Sequence, residues 1–183
     1  MVFRHALGDG FDDLPPALRA FHAPGRLCVW HGAADIVPAA SLPAAAVARL
    51  FGFPRPGTGV PLTVTVHPAR DPQGPSEVWV RDYDGRRMVS TLRFRNGVLT
   101  EAFGPLVFPL DVRTDARGLV LLGHGWRLGR VMLPSALAPR SQAREHQDEH
   151  GRFRFEVEIT VPLLGLLVAY SGWLEQRDSV ANG

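Results

Sequence analysis

Glu101 stands between Leu99 and Phe103 in an alternating run, so strand parity sends its carboxylate to the same side as two apolar side chains. A carboxylate on an apolar face is costly without a partner, and the natural partner is an arginine fork. Arg93 and Arg127 are the partners considered for it, and Arg87, Trp79, Trp126, Glu145 and Tyr170 complete a polar and aromatic set spread along the chain. If that face lines a cavity, Glu101 with an arginine anchors a ligand or serves as an acid or base. If it does not, the same residues form a structural ion pair at the end of a sheet, and Arg87, Val89, Thr91 and Arg93 are simply a solvated face. The candidate ligand-binding residues are Glu101, Arg87, Arg93, Arg127, Trp126, Trp79 and Tyr170; no catalytic residue is assigned.

Other clusters have simpler readings. His146-Gln-Asp-Glu-His150 has the H-x-x-E-H spacing of inverted zinc peptidases, whose chemistry needs both imidazoles one helical turn apart. Gly151 and an alternating strand follow at once, so the segment reads as a solvated polar hairpin end and no metal site is assigned. His31 and His124 each neighbour a Trp and a Gly and read as partly buried structural histidines. Cys28 reads as a small buried hydrophobe, and a lone cysteine forbids an internal disulfide. All 20 basic side chains are arginine. That excludes Schiff-base chemistry and a P-loop, both of which need a lysine amine. No serine lies in a G-x-S-x-G elbow, and Gly8-Asp-Gly10 falls short of a dinucleotide fingerprint. No cofactor is expected. Against 18 carboxylates the arginines leave a formal charge of +2, a small excess. Arg93-Phe-Arg95 and Arg152-Phe-Arg-Phe155 mix basic and aromatic residues, but alternation sends the two types to opposite faces, so no nucleic-acid partner is expected.

These groups must be positioned by a chain that reads as one domain over 1–183: helix and loop over 1–60, strand after strand over 61–175, and a frayed tail over 176–183. Around 11–22, Asp12 or Asp13 offers an N-cap and Pro15 or Pro16 a first helical residue, with Leu14, Leu18 and Phe21 on one face. A second short helix is expected over 43–51 after Ser41 as cap, a first strand within 26–31, and a loop over 55–59. Leu62-Thr-Val-Thr-Val-His67 has the period of a half-buried strand. Asp84-Gly85 and Asn96-Gly97 are tight-hairpin signals between 77–83, 87–95 and 98–103. A Pro-containing loop at 134–139 precedes a polar strand or arm over 140–149. Phe153, Phe155, Val157, Ile159 and Val161 share one face, and the run 163–174 is apolar on both. The expected fold is mainly β (α+β): an antiparallel meander of about eight to ten strands closing into a barrel or strongly curved sheet to manage its edges, with two short N-terminal helices against one face or mouth. The longest apolar run, 161–170, is too short for a transmembrane helix, and the N-terminus has no apolar stretch of a signal peptide. A cytoplasmic location is expected. The arginine bias with abundant Ala, Gly and Pro suggests a GC-rich bacterial coding sequence.

Several segments taken together carry a family resemblance. They are Phe11-Asp-Asp-Leu-Pro-Pro-Ala-Leu-Arg-Ala-Phe-His22, Glu101-Ala-Phe-Gly-Pro105, Gly125-Trp-Arg-Leu-Gly129, Leu133-Pro-Ser-Ala-Leu-Ala-Pro139, and Gly151-Arg-Phe-Arg-Phe-Glu-Val157 running into 162–174. The chain resembles, over about residues 3–175, the bacterial family called domain of unknown function 4166. The resemblance implies no catalytic residues to carry over. It does imply kinship with domains attached to nicotinamide-dependent oxidoreductase-like domains.

Three functions follow from these readings. The first is binding of an apolar or amphipathic small molecule in a barrel or curved-sheet cavity, from the inward-phased Phe, Leu and Val and the four Trp. The second is a cofactor-independent cavity enzyme of isomerase, cyclase or dehydratase type, using Glu101 and an Arg or His as an acid–base pair. The third is an accessory module, as a homodimer or with an oxidoreductase partner. Whether the protein is an enzyme is left open.

Overall fold

The computed structural model describes residues 1–176. Helix α1 (Val2–Leu7), a 3-10 turn (Gly8–Phe11) and helix α2 (Pro16–His22) lead into strand β1 (Cys28–Val37). Helix α3 (Leu42–Leu50) follows, then β2 (Gly57–Ala69), β3 (Ser76–Tyr83), β4 (Arg86–Arg95), β5 (Val98–Phe103), β6 (Leu106–Asp115) and β7 (Gly118–Gly123). A two-residue-strand hairpin, β8 (Arg127–Leu128) and β9 (Val131–Met132), precedes β10 (Arg140–Gln147), β11 (Phe153–Val161) and β12 (Gly165–Gln176). Successive strands pair antiparallel, β7 pairs with β10, and β12 returns to β1. The β5–β6 pairing leaves no break, so ten strands close into a barrel, with β8 and β9 as an appendage on β6.

Local chemistry explains most of these elements. Asp84 and Asn96 both adopt positive φ, as their hairpin turns require, and each is followed by a glycine that also does. Ser41 caps α3, accepting the Ala44 N–H at 3.3 Å. Pro16 opens α2 as its first residue, although neither Asp12 nor Asp13 caps it. The 1–60 segment is less irregular than its composition suggests: β1 runs on to Val37, and β2 already begins at Gly57, inside the expected loop. The Gly32-Ala-Ala stretch of β1 has little strand character of its own and is held by β2 on one side and β12 on the other. Closure there depends on small residues. A Cβ on Gly172 would meet the Ala33 carbonyl oxygen at 2.2 Å and the Phe155 ring at 2.7 Å. Helix α1 is an addition to the two expected helices; it buries Val2 and Phe3. The tail expected from 176 lies, beyond Gln176, outside the described residues.

Inward positions are apolar and outward ones polar. Phe153 and Phe155 are buried, whereas Arg154, Glu156 and Glu158 of the same strand point outward. The barrel has two unlike ends. Helices α1 and α2 pack over one, where Phe3, Phe21 and His22 meet Trp79 and Phe153. Helix α3, the β11–β12 turn and the β8–β9 hairpin surround the other. No helix among the described residues is long and apolar enough to cross a membrane.

Candidate functional site

A cavity of about 320 Å³ lies inside the barrel. Its base is formed by Phe3, Phe21, Trp79 and Phe153, and it reaches Phe51, Phe53, Trp126 and Leu137 at the end away from α1 and α2. Between these limits most of the wall is apolar, with Leu62, Val64, Phe108, Leu110, Phe155 and Ile159 among its members.

The polar lining converges from four strands. On β3, Glu77, Trp79, Arg81 and Tyr83 fall on the inward side by alternation. Arg81 donates to Ser90 Oγ of β4 at 2.8 Å and to Glu101 Oε1 of β5 at 3.2 Å, and its guanidinium lies 5.0 Å from the Trp79 ring. The two charged side chains retain only 16 % and 17 % of their exposure, so this is an interior ion pair. Burial works to lower the Arg81 pKa, but Glu101 beside it, with Tyr170 and Tyr83, outweighs this and holds the group above the ordinary arginine value. The guanidinium has more N–H donors than Ser90 and Glu101 occupy. Tyr83 and Tyr170 meet edge to face at 5.7 Å in the same cavity wall. Burial, reinforced by Tyr170 and opposed by Arg81, keeps the Tyr83 phenol well above its ordinary pKa. Burial likewise raises Tyr170, with Arg81 opposing. Both phenols are therefore neutral at physiological pH.

Nearer the base, Glu145 of β10 reaches the cavity wall with His22 behind it, Nε2 to Oε2 being 2.5 Å. His22 is fully buried and its Nδ1 has no partner among the described residues. Placing the ring proton on Nε2, where it donates to Glu145, is the arrangement that leaves no bare N–H. Glu77 is likewise structural: its carboxylate accepts the Val2 N–H at 2.8 Å and the Trp79 indole N–H at 3.2 Å, fastening α1 to the barrel.

Of the seven residues singled out from sequence, Glu101, Trp79, Tyr170 and Trp126 line the cavity. Trp126 does so at the rim, its indole donating to the Pro134 carbonyl at 3.0 Å. The arginine that meets Glu101 is Arg81, not Arg93 or Arg127. Arg87 is 72 % exposed and bonds Asp82 at 3.1 Å. Arg93 pairs with Asp71 outside the barrel, and Arg127 sits on the short β8. The physical reason is parity: Arg87 and Arg93 share the outward face of β4, while Ser90 and Leu92 point in. Sequence reasoning misses Arg81, Tyr83 and His22, although Arg81 and Tyr83 are in phase with Trp79. His31 and His124 are exposed rather than partly buried, and Cys28 is half-buried. His146 lies within β10 and His150 in the following turn, so the H-x-x-E-H spacing is not helical.

The molecule is thus a closed antiparallel β-barrel with a hollow, largely apolar interior and a buried Arg–Glu pair in its wall. The chain belongs to the family described as Domain of unknown function (DUF4166), whose model matches residues 14–174. No curated protein matches the sequence.

Proposed function

We propose that the barrel is a binding protein for an apolar or amphipathic small molecule, held with its hydrocarbon part against the aliphatic and aromatic walls. An oxygen acceptor on the ligand would sit on the spare donors of Arg81 and the neutral phenols of Tyr83 and Tyr170. One observation carries this reading: a largely apolar cavity of about 320 Å³ lined by a few polar groups. Interiors packed to ordinary density hold few voids larger than a water molecule, and small-molecule sites begin at roughly 300 Å³. Native mass spectrometry of protein purified without refolding tests it. A carried-through mass that organic extraction removes is the expected result. A bare chain before and after extraction, with no uptake of a fluorescent fatty-acid probe, overturns it.

A second reading, a cofactor-independent acid–base enzyme, is favoured by a different observation. Two carboxylates, Glu101 and Glu145, both line the cavity, and each is backed by a basic partner, Arg81 or His22. Such a pair suits an isomerase- or dehydratase-type proton transfer. Turnover of a found substrate that survives both Glu101→Gln and Glu145→Gln removes this reading.

A further inference from the structure

The open end carries apolar side chains that the fold does not bury. Leu42 and Leu50 of α3 are 88 % and 82 % exposed, Leu163 in the β11–β12 turn 96 %, and Val131 and Met132 in the β8–β9 hairpin 64 % and 72 %. They form two lobes continuous with the cavity: Phe51 and Phe53 after α3 line it on one side, and Trp126 and Leu137 near the hairpin on the other. Leu163 is the most telling. It holds φ 69°, a left-handed conformation costly for a branched side chain, in order to present an apolar group to solvent. Basic side chains outnumber acidic ones around these lobes. Arg49 on α3 and Arg55, Arg86, Arg87, Arg127, Arg130 and Arg140 on the loops and strand ends stand at this end. Asp35, Asp82, Asp84 and Asp111 oppose them, with Glu158 further along β11; Asp35 is engaged by the Gly59 N–H at 2.7 Å and Asp82 by Arg87 at 3.1 Å.

We propose that this rim docks the barrel on an anionic phospholipid bilayer, with Leu42, Leu50, Leu163 and Met132 inserted among the headgroups and the arginines on lipid phosphates. The cavity mouth would then face the acyl region. That last consequence rests on the binding function proposed above; the docking itself does not. Exposed apolar patches mark interaction sites, and a basic apolar surface matches an anionic membrane in both chemistry and charge.

Flotation with phosphatidylcholine vesicles, with and without phosphatidylglycerol, tests it. Binding is expected only with the anionic lipid and should weaken as salt rises. Leu163→Gly and Met132→Asp should each weaken it by about tenfold, whereas Leu27→Asp, an exposed position at the opposite end, should not. Leu163→Gly removes the left-handed strain, so folding stability should hold or rise while docking falls; a structural leucine would give the reverse. No binding to anionic vesicles overturns the proposal, as does binding that Leu163→Gly and Met132→Asp leave intact. So does a concentration-dependent dimer, dissolved by those substitutions, in place of vesicle binding. Ala143→Phe, which fills the cavity, separates the two proposals: it should abolish fatty-acid probe uptake and leave flotation unchanged.

Discussion

At the closed end of the barrel Phe21 stacks on Phe153 at 4.1 Å, His22 bonds Glu145 at 2.5 Å, and the Glu77 carboxylate holds the start of α1. At the open end Phe51, Leu137 and Trp126 face the cavity, and leucines of α3 and the β11–β12 turn face solvent. Ion pairs are more numerous at the closed end. Asp12 with Arg4, Asp71 with Arg93 and Arg95, Asp115 with Arg144, and Asp148 with Arg152 tie the plug and the turns of the closed end. The open end has Asp82 with Arg87, and Asp111 lies 3.7 Å from both Arg113 and His124. The stacked rings and the buried His22–Glu145 bond thus stand where the barrel is filled. The hollow half is left free to present a cavity and a rim.

The aromatic base offers the most severe test of this division. Phe21→Ala should cost about 3–5 kcal/mol in denaturant unfolding, because the ring is enclosed by Phe153, Trp30 and Trp79 and little can collapse into its place. Phe108→Ala, at the half-exposed wall of the cavity, should cost roughly 1–2 kcal/mol, since the space beside it is already empty. Equal losses would mean that the cavity end is as well packed as the base.

Next comes the buried pair. Glu145→Ala strands His22 without a partner on either nitrogen and should destabilise by roughly 3 kcal/mol. Glu145→Gln keeps an acceptor oxygen for Nε2–H and should recover most of that. If the glutamine variant is as unstable as the alanine variant, charge rather than hydrogen bonding holds the pair.

The Arg81–Glu101 pair should behave oppositely. Replacing both, as Arg81→Met with Glu101→Leu, should change stability by about 1 kcal/mol or less, because well-packed apolar groups often substitute for a buried ion pair without loss. Fatty-acid probe affinity, measured by fluorescence titration, should fall by about tenfold as the polar anchor goes. A large stability loss with unchanged affinity would make this pair a structural member like His22–Glu145.

How much of this is readable from sequence depends on whether the signal is local. Alternation along 153–161 and the Asp84-Gly85 and Asn96-Gly97 turns announce hairpins, and enough of them to require closure. Glu101 is identifiable as an inward carboxylate for the same reason. Its partner is not, because Arg81 lies two strands away and meets it only through barrel curvature. His22 is hidden similarly, its bond to Glu145 spanning 123 residues. Strand β1 is under-read because Gly32, Ala33 and Ala34 belong to a strand only through both neighbours. The rim is invisible in the sequence, since exposed leucines look like core leucines until the fold leaves them outside.

A final and slight effect, that of pH, refines the picture of the closed end. Asp71 is held below the ordinary aspartate value of 3.8 by the Gln73 backbone N–H and then by Arg95. The Arg117 N–H, against some burial, and then Arg144 do the same for Asp115. At Asp148 burial opposes the shift, and the N–H groups of Arg152 and His150 with the Arg152 side chain outweigh it. Carboxyls whose pKa is lower folded than unfolded contribute stability above the unfolded value and lose it as pH falls through the folded one. The melting temperature should therefore be level near neutrality and decline below about pH 4 as these turns are released. Because the pairs are near the surface, each contributes little. Asp71→Asn should lower the neutral-pH melting temperature slightly and make the acid decline shallower. An acid decline as steep in the Asp71→Asn variant as in the wild type would remove Asp71 from the set, and a melting temperature unchanged down to about pH 3, below the unfolded aspartate range, would show that the closed end does not depend on its carboxylate latches.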